Sequence, residues 1–178
     1  MILTKESFDI IRDILGGKLN TSQVEGLNLL VKAMDEAGFT YPEAAYALAT
    51  VHIECATTFQ PIKEYGSLAY LKSKKYYPYI GYGYVQLTWK DNYEKVGKLI
   101  GIDLIKSPER ALEPLVAASI LTGGMLHGWF TGVGFRRKRE VSRYDLEKYT
   151  KARSIINGTD RALEIAKLAM RYEKALRS

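Results

Sequence analysis

The sequence predicts a mostly α-helical, two-lobed fold whose smaller lobe is a short antiparallel β hairpin. Apolar residues recur at helical spacing over most of the chain, and a Tyr-, Gly- and Pro-rich stretch at residues 59–87 interrupts them. The chain has 178 residues, of which 47% are hydrophobic and 26% charged, so it can bury a core. We therefore expect a single domain over residues 1–178, with the helices of residues 1–40 belonging to it.

Three helices are predicted in the first third of the chain. Thr4 precedes the first apolar run, and Thr21 is placed to cap a second run that Gly38 ends. A third helix is predicted for residues 42–57, because Pro42 suits a first helical turn, where its missing N–H is not needed. We expect this helix to be central, since small residues allow close packing. Its apolar stripe consists of Ala44, Ala47, Leu48, Val51 and Cys55.

The interruption at residues 59–87 predicts the smaller lobe. Glycines and prolines divide it, seven tyrosines lie within it, and residues 80–87 alternate in the manner of a strand. That alternation places Tyr84, Gln86 and Thr88 on one side of the strand. A small antiparallel hairpin or a loop lobe is the structure that this pattern favours.

Helices are predicted again in the second half of the chain. Thr88 can cap one of them, and Ser107-Pro108-Glu109 begins the next, which Gly123-Gly124 can end or bend. The basic run at residues 136–139 is predicted to be an exposed turn. Thr159-Asp160 is placed to cap the last helix, which carries a broad apolar side.

Charge and composition narrow the class of partner. The chain has 26 Lys and Arg against 20 Asp and Glu, a net charge of +6, which favours nucleic acid, acidic lipid or an acidic cell-wall polymer. One cysteine excludes an internal disulfide, and no apolar run has the roughly 18–20 residues that a membrane-spanning helix needs. The first residues lack the pattern of a signal peptide, so we expect synthesis into a cytosol.

No metal ion or cofactor is predicted. The chain has two histidines and one cysteine, too few for the usual zinc sites, and no glycine-rich loop has the ending that holds phosphates. His52 and Cys55 lie one helical turn apart and could form a nucleophile pair. Core packing is favoured instead, because Cys55 continues the apolar stripe of its helix.

Glu54 and Glu64 are the candidate catalytic groups. Glu54 lies near the end of the apolar third helix, where apolar neighbours disfavour the charged form of a carboxyl and suit it to general-acid catalysis. Glu64 follows in a loop beside Tyr65, where solvent can keep it ionised. One sheltered and one wetter carboxyl form the pair that glycoside hydrolysis uses. From spacing alone, a local contact for Glu54 and a surface charge at Glu64 are the more common use of such residues.

Polar side chains that suit sugar recognition follow these carboxyls. Gln86 and Thr88 share one side of the predicted strand, and Asn92 lies one helical turn beyond Thr88. Amides and hydroxyls bind sugar hydroxyl and acetamido groups, while aromatic rings cover the apolar faces of sugars. A plain hairpin with solvated Gln86 and Asn92 fits the pattern equally well. Asn157 stands in an Ile-Asn-Gly sequence that is typical of a turn.

Six motifs follow one another between residues 42 and 176. They are Ala49-Thr-Val-His-Ile-Glu54, Phe59-Gln-Pro-Ile-Lys-Glu64-Tyr-Gly66, Gly81-Tyr-Gly-Tyr-Val-Gln-Leu-Thr-Trp89, Asn92-Tyr93, Gly128-Trp-Phe-Thr-Gly132 and Ile156-Asn-Gly-Thr-Asp160. In this combination they resemble the chitinase-like bacteriophage endolysins of glycoside hydrolase family 19. The resemblance covers nearly the whole chain. It implies a lysozyme-like fold with a cleft between its lobes, and inverting hydrolysis of a β-1,4 bond next to N-acetylated sugars.

The resemblance also implies roles for individual residues. Glu54 matches the general acid, Glu64 the second carboxylate that activates water, and Thr88 the hydroxyl that positions this water. For inversion, the two carboxyls are expected roughly 6.5–9.5 Å apart, which leaves room for the water. The predicted substrate-binding residues are Gln86, Asn92, Asn157 and, next to the second carboxylate, Tyr65.

The sequence departs from the family pattern in three places. The family has His directly before the acid and Thr or a small residue directly after it, where this chain has Ile53 and Cys55. The family's Gly-Arg-Gly is Gly81-Tyr82-Gly83 here, without the arginine. No residue is matched to the late arginine that braces the acid pair in the family.

The favoured hypothesis is a phage endolysin that cleaves peptidoglycan strands for host cell lysis. We expect a monomer that waits in the host cytoplasm and reaches the periplasmic wall after holin-type release, without stable membrane insertion. The alternatives are an endochitinase and a catalytically silent wall-binding protein. No nucleic-acid partner is expected, because the basic run at residues 136–139 is short and is followed by Glu140. The cationic last helix could touch an anionic membrane, but its apolar side is expected in the core.

Overall fold

The computed structural model describes residues 1–135 and 143–178. Within these ranges the chain forms eight α-helices and one two-stranded antiparallel sheet, so the mostly α-helical prediction with a small hairpin is confirmed. None of these helices is long and apolar enough to cross a membrane. The basic run at 136–139, predicted as an exposed turn, lies outside the described residues. The elements are α1 (Lys5–Ile14), α2 (Thr21–Glu36), α3 (Tyr41–Glu54), β1 (Ile62–Lys63), α4 (Leu68–Lys72), β2 (Tyr82–Gly83), α5 (Lys90–Ile100), α6 (Pro114–His127), α7 (Leu146–Lys151) and α8 (Ala162–Arg177), with 3-10 turns at Pro108–Leu112 and Ala152–Ile155.

Helix α3 is central, as its small residues predict. Every residue from Pro42 to Val51 is buried, and the helix packs chiefly against α8. Alanines along α3 let α8 approach closely, because they project little from the helix surface. Helices α1 and α7 pack against α8 as well, and α2 packs against α6. One apolar cluster, extending from Ile11 to Leu176, joins these helices into the larger lobe.

The smaller lobe has a separate apolar core. Its sheet pairs Ile62 with Gly83 and Lys63 with Tyr82. Helix α6 lies between the lobes, since Leu121 belongs to the main cluster while Ile120 belongs to the second one. The second cluster consists of Leu87, Tyr93, Val96, Leu104, Ala111, Val116 and Ile120.

Two of the helix boundaries predicted for the first third of the chain are wrong. Helix α2 is capped by Asn20 rather than Thr21, because the Asn20 side chain accepts a hydrogen bond from the backbone N–H three residues later. Helix α3 ends at Glu54 rather than near residue 57, since Ala56 and Thr57 adopt φ angles of 47° and 64°. This early end leaves Glu54 at the last helical position.

The predicted strand at residues 80–87 is wrong over most of its length. Only Tyr82–Gly83 pairs with β1, and the chain then turns at Gln86, whose φ is 52°. Leu87 returns to bond with Tyr82 in both directions. Tyr84 is buried in the main cluster, so it does not share a surface with Gln86 and Thr88.

The glycines of α6 serve packing rather than helix termination. The helix continues through Gly123-Gly124 to His127, against the prediction that this pair ends or bends it. Side chains at these two positions would collide with the rings of Trp129 and Phe130, which fold back on the helix. Helix α5 also differs from prediction, because its cap is Trp89 rather than Thr88.

The start of the last helix differs from prediction in the same way. The cap residue of α8 is Arg161, in a left-handed conformation, instead of Thr159-Asp160. The broad apolar side of this helix is buried against α3 and α1, as expected from its sequence. It is therefore part of the core.

Candidate active site

Glu54 reaches the junction of the two lobes because α3 ends there. Its neighbour Cys55 caps the helix, and the Cys55 thiol donates to the carbonyl oxygen of Tyr84 at 3.5 Å, just beyond β2. Strand β2 in turn pairs with β1, which leads directly to Glu64. The two candidate carboxyls thus belong to elements that meet at one place.

Arg153 is the direct partner of Glu54. Both terminal nitrogens of the guanidinium lie 3.1 Å from Glu54 Oε1, and its Nε donates to the carbonyl oxygen of Asp160 at 2.7 Å. The Arg153 side chain is 2% exposed and that of Glu54 is 23% exposed, so water screens the pair poorly. The expectation of an apolar setting for Glu54 is therefore wrong in this respect, because a buried cation holds the carboxyl.

Arg153 is a residue of the candidate site that the sequence did not reveal. It comes from the 3-10 turn Ala152–Ile155, which follows α7 and precedes the Asn157-Gly158 turn. The chain bends back there, as the backbone N–H of Asn157 bonds to the carbonyl of Arg153 at 2.9 Å. The Asn-Gly turn was a visible signal, but nothing in the spacing joins residue 153 to residue 54.

A polar stripe on α3 continues behind Glu54. Tyr46, Thr50 and Glu54 are four residues apart and therefore share one helix face. Tyr46 and Thr50 are fully buried, and their hydroxyls have no hydrogen-bond partner among the described residues. Burial raises the pKa of Tyr46, while the Thr50 hydroxyl and the Arg153 charge act in the opposite direction. The Tyr46 hydroxyl therefore lies beside the Arg153 guanidinium.

Glu64 is held by the smaller lobe itself. Its Oε2 accepts from the backbone N–H of Gly81 at 2.9 Å, and its Oε1 accepts from the Tyr76 hydroxyl at 2.8 Å. Donation to this carboxylate is the largest cause that raises the pKa of Tyr76. A Cβ at position 81 would lie 2.7 Å from the side-chain oxygen of Gln86 and 3.3 Å from Glu64 Cβ, so a larger residue there would displace the Gln86 side chain and crowd Glu64.

A recess of about 150 Å³ gathers several of the predicted sugar-binding residues. Gln86, Thr88 and Asn92 line it together with the rings of Trp129 and Phe130. Ile156 also lines it, which brings the turn that carries Asn157 to its rim. Asn157 itself is exposed, and Tyr65 is 71% exposed beside Glu64.

Hydrogen bonds within the protein determine which donors and acceptors of the recess remain free for a ligand. The Gln86 amide nitrogen donates to the carbonyls of Ile62 and Gly83 at 3.1 and 3.2 Å, so both of its N–H groups hold the hairpin. The Thr88 hydroxyl donates to the Gln86 carbonyl at 2.8 Å and keeps its lone pairs. The Asn92 amide donates to the Thr88 carbonyl at 2.9 Å and keeps its oxygen and one N–H.

His52 and Cys55 do not form a nucleophile pair. His52 Nδ1 lies 2.9 Å from the Tyr172 hydroxyl, and burial lowers the pKa of His52. Burial raises the pKa of the Cys55 thiol to about 12, which keeps it protonated. Core packing, the favoured interpretation, is confirmed for Cys55, which is fully buried. Within the described ranges, no three His, Cys, Asp or Glu residues lie close enough to hold a metal ion.

The fold is similar to that of a chitinase. The crystal structure of chitinase C from Streptomyces griseus HUT6037 has a TM-score of 0.62 and 20% identity, over 96% of this chain and 76% of that one. A chitinase C mutant has a TM-score of 0.60 and 21% identity, over 99% of this chain and 93% of that one. No known protein family and no curated protein matches the sequence. The likeness confirms the expected lysozyme-like, chitinase-type fold.

Proposed function

We propose that this chain is a glycoside hydrolase that cleaves β-1,4 bonds of bacterial peptidoglycan with inversion, in the role of a phage endolysin. The observation that carries the proposal is the pair of carboxyls at the lobe junction. Glu54 is fixed by buried Arg153, and Glu64 is fixed by Gly81 and Tyr76. Glycoside hydrolysis by inversion uses two carboxyls on opposite sides of the scissile bond. The chitinase-type fold and the polar recess beside the junction support this assignment.

Glu54 would act as the general acid. Both Arg153 nitrogens bond to Oε1, which leaves Oε2 to carry the proton for the leaving glycosidic oxygen. As the bond to the anomeric carbon breaks, Glu54 becomes a carboxylate, and the neighbouring guanidinium stabilises the developing charge. Arg153 can only donate hydrogen bonds, so it does not compete for the proton.

Glu64 would act as the general base. Each carboxylate oxygen accepts one hydrogen bond from the protein and keeps capacity for another, so Glu64 can take a proton from a water molecule. The Thr88 hydroxyl has lone pairs free to orient that water. We assign substrate contacts to the Gln86 oxygen, Asn92, Asn157 and Tyr65. The partner is the peptidoglycan strand, met by a monomer released from the host cytoplasm.

Lysis of permeabilised cells tests the proposal. Turbidity loss of chloroform-treated Gram-negative cells and new reducing ends are measured for wild type, Glu54→Gln and Glu64→Gln. We expect each substitution to lower the rate about 10²–10⁴-fold, because each removes a proton-transfer group. Glu94→Gln, on the exposed side of α5, is the matched control and should keep wild-type activity. Folding is checked by thermal unfolding, and a folded Glu54→Gln enzyme with near wild-type turnover would refute the acid assignment.

An endochitinase is the second candidate. The two similar structures favour it, since both are of chitinases. Release of soluble sugars from purified sacculi and from colloidal chitin separates the two functions. Faster cleavage of chitin would move the assignment to the endochitinase. Binding to sacculi without new reducing ends would indicate the catalytically silent wall-binding protein.

A further inference from the structure

A surface rich in rings and lysines adjoins Glu64. Tyr76, which donates to Glu64, packs edge-on against Trp89 with ring centroids 5.2 Å apart. Lys74 places its ammonium 4.0 Å from the centre of the Tyr70 ring. We name this set of four side chains, Tyr70, Lys74, Tyr76 and Trp89, the lysine–aromatic face. Trp89 is 52% exposed and Tyr70 is 49% exposed, so the face is open to a ligand.

The segment that follows Glu64 carries positive charge only. The sequence from residue 65 to residue 90 contains four lysines and no aspartate or glutamate. Lys74 forms no ion pair with any described residue, and both Glu64 oxygens are bonded to other groups. The pKa of Lys74 is raised, chiefly by Tyr70 and also by Tyr76 and Glu64, so the ammonium keeps its charge. Among the described residues it has no carboxylate partner, and it lies two residues before Tyr76, the donor to Glu64.

We infer that the lysine–aromatic face is a subsite that binds a carboxylate on the branch of a glycan strand and so favours peptidoglycan over neutral chitin. The inference rests on the proposed function, because it concerns the same cleft. Aromatic rings cover the faces of the sugars, and the Lys74 ammonium pairs with the carboxylate that the lactyl-peptide branch carries. Chitin has no carboxylate, so the ammonium would gain no partner from it.

The first experiment measures how activity depends on the substrate's carboxylates. Native sacculi are compared with sacculi whose carboxylates have been converted to methylamides with carbodiimide. For wild type we expect kcat/KM to be about fivefold higher on native sacculi, as an accessible ion pair provides. Lys74→Gln should abolish this ratio by raising KM on native sacculi. The matched control, Lys75→Gln, replaces an exposed lysine outside the face and should keep the ratio.

A binding experiment separates this inference from the proposed function. A disaccharide-peptide fragment of peptidoglycan and its methylamidated form are titrated against wild type and Lys74→Gln, with the change in tryptophan fluorescence as the signal. Preference for the native fragment in wild type, lost in Lys74→Gln, supports the subsite even if the chain cleaves no glycan. Equal affinity for both fragments overturns it even if the chain lyses cells. A Lys74→Gln loss that is equal on native and amidated sacculi also overturns it, because Lys74 would then act through Glu64.

Discussion

The two carboxyls at the lobe junction are held by different kinds of structure. Glu54 ends a helix that is buried from Pro42 to Val51, and it bonds to Arg153, a cation from the core of the larger lobe. Glu64 follows a strand of two residues and is held by the backbone N–H of Gly81 and by the hydroxyl of Tyr76. The candidate acid is therefore positioned by the same interactions that stabilise the fold, whereas the candidate base is positioned by a few local hydrogen bonds of the smaller lobe. Changes around the two carboxyls should consequently separate stability from activity.

The largest effect is expected when the charge that supports Glu54 is removed. Arg153→Met leaves the partly buried Glu54 carboxyl without its partner and should lower the free energy of unfolding by up to about 3–5 kcal/mol, the cost of breaking a buried pair, together with the loss of activity. Urea denaturation measures the first effect. Arg110→Gln removes an exposed pair with Glu113 and should cost less than about 1 kcal/mol. A cost for Arg153→Met as small as that of the control would show that the acid is not built into the core.

A smaller effect is expected on the other carboxyl, and on activity alone. Tyr76→Phe removes the hydroxyl that bonds to Glu64 Oε1 but keeps the ring against Trp89. We expect kcat to fall about tenfold and the free energy of unfolding to change by less than about 1 kcal/mol. Initial rates on sacculi and urea denaturation give the two values. Comparable losses of activity and of stability in Tyr76→Phe would contradict the idea that the smaller lobe positions Glu64 without stabilising the fold.

A substitution in the polar stripe behind Glu54 should lower activity while it raises stability. The Tyr46 hydroxyl is buried without a hydrogen-bond partner among the described residues, so Tyr46→Phe removes an unfavourable buried group. We expect a slightly raised melting temperature and a roughly threefold lower kcat, because the phenol lies beside Arg153. Unchanged kcat in Tyr46→Phe would restrict the positioning of Glu54 to Arg153 itself.

The smallest effect concerns the pH dependence of stability in the larger lobe. Burial lowers the pKa of His52 in the folded chain, so the unfolded chain binds the proton more tightly. The free energy of unfolding should therefore decrease as the pH falls below about 6.5, the ordinary histidine value. In His52→Gln the free energy of unfolding should lack this decrease between pH 7 and pH 5. Urea denaturation at several pH values measures the free energy of unfolding of wild type and His52→Gln. The same dependence on pH in both proteins would show that His52 does not cause the decrease.

Local signals predicted the helices better than they predicted the smaller lobe. Helix α1 begins directly after Thr4, as the apolar run predicted, and the Thr4 hydroxyl caps it by accepting from a backbone N–H within the same turn. The strand at residues 80–87 failed, since alternation alone does not reveal the positive φ at Gln86. The prediction that Gly123-Gly124 ends or bends a helix was wrong because glycine has a second use. It weakens a helix, but it also makes room for the rings of Trp129 and Phe130, which fold back on α6.

The candidate site was predictable where its residues lie in one short segment. The predicted neighbours Gln86, Thr88 and Asn92 do line one recess. The contact between Arg153 and Glu54 joins residues 99 positions apart, and no periodicity expresses such a separation. The use of the Gln86 amide was equally hidden, because its partners are backbone carbonyls of the hairpin.

Helix α6 has a consequence for any attempt to redesign this chain. Its different faces contribute buried residues to two apolar cores, so a substitution on one face changes the packing of one lobe. Replacing Val116 or Ile120 by a larger or smaller residue would tilt the smaller lobe, and with it Glu64, while the packing around Arg153 is kept. The gap between the carboxyls, and thus the width of polymer that can be threaded between them, could be adjusted from a helix that carries neither carboxyl.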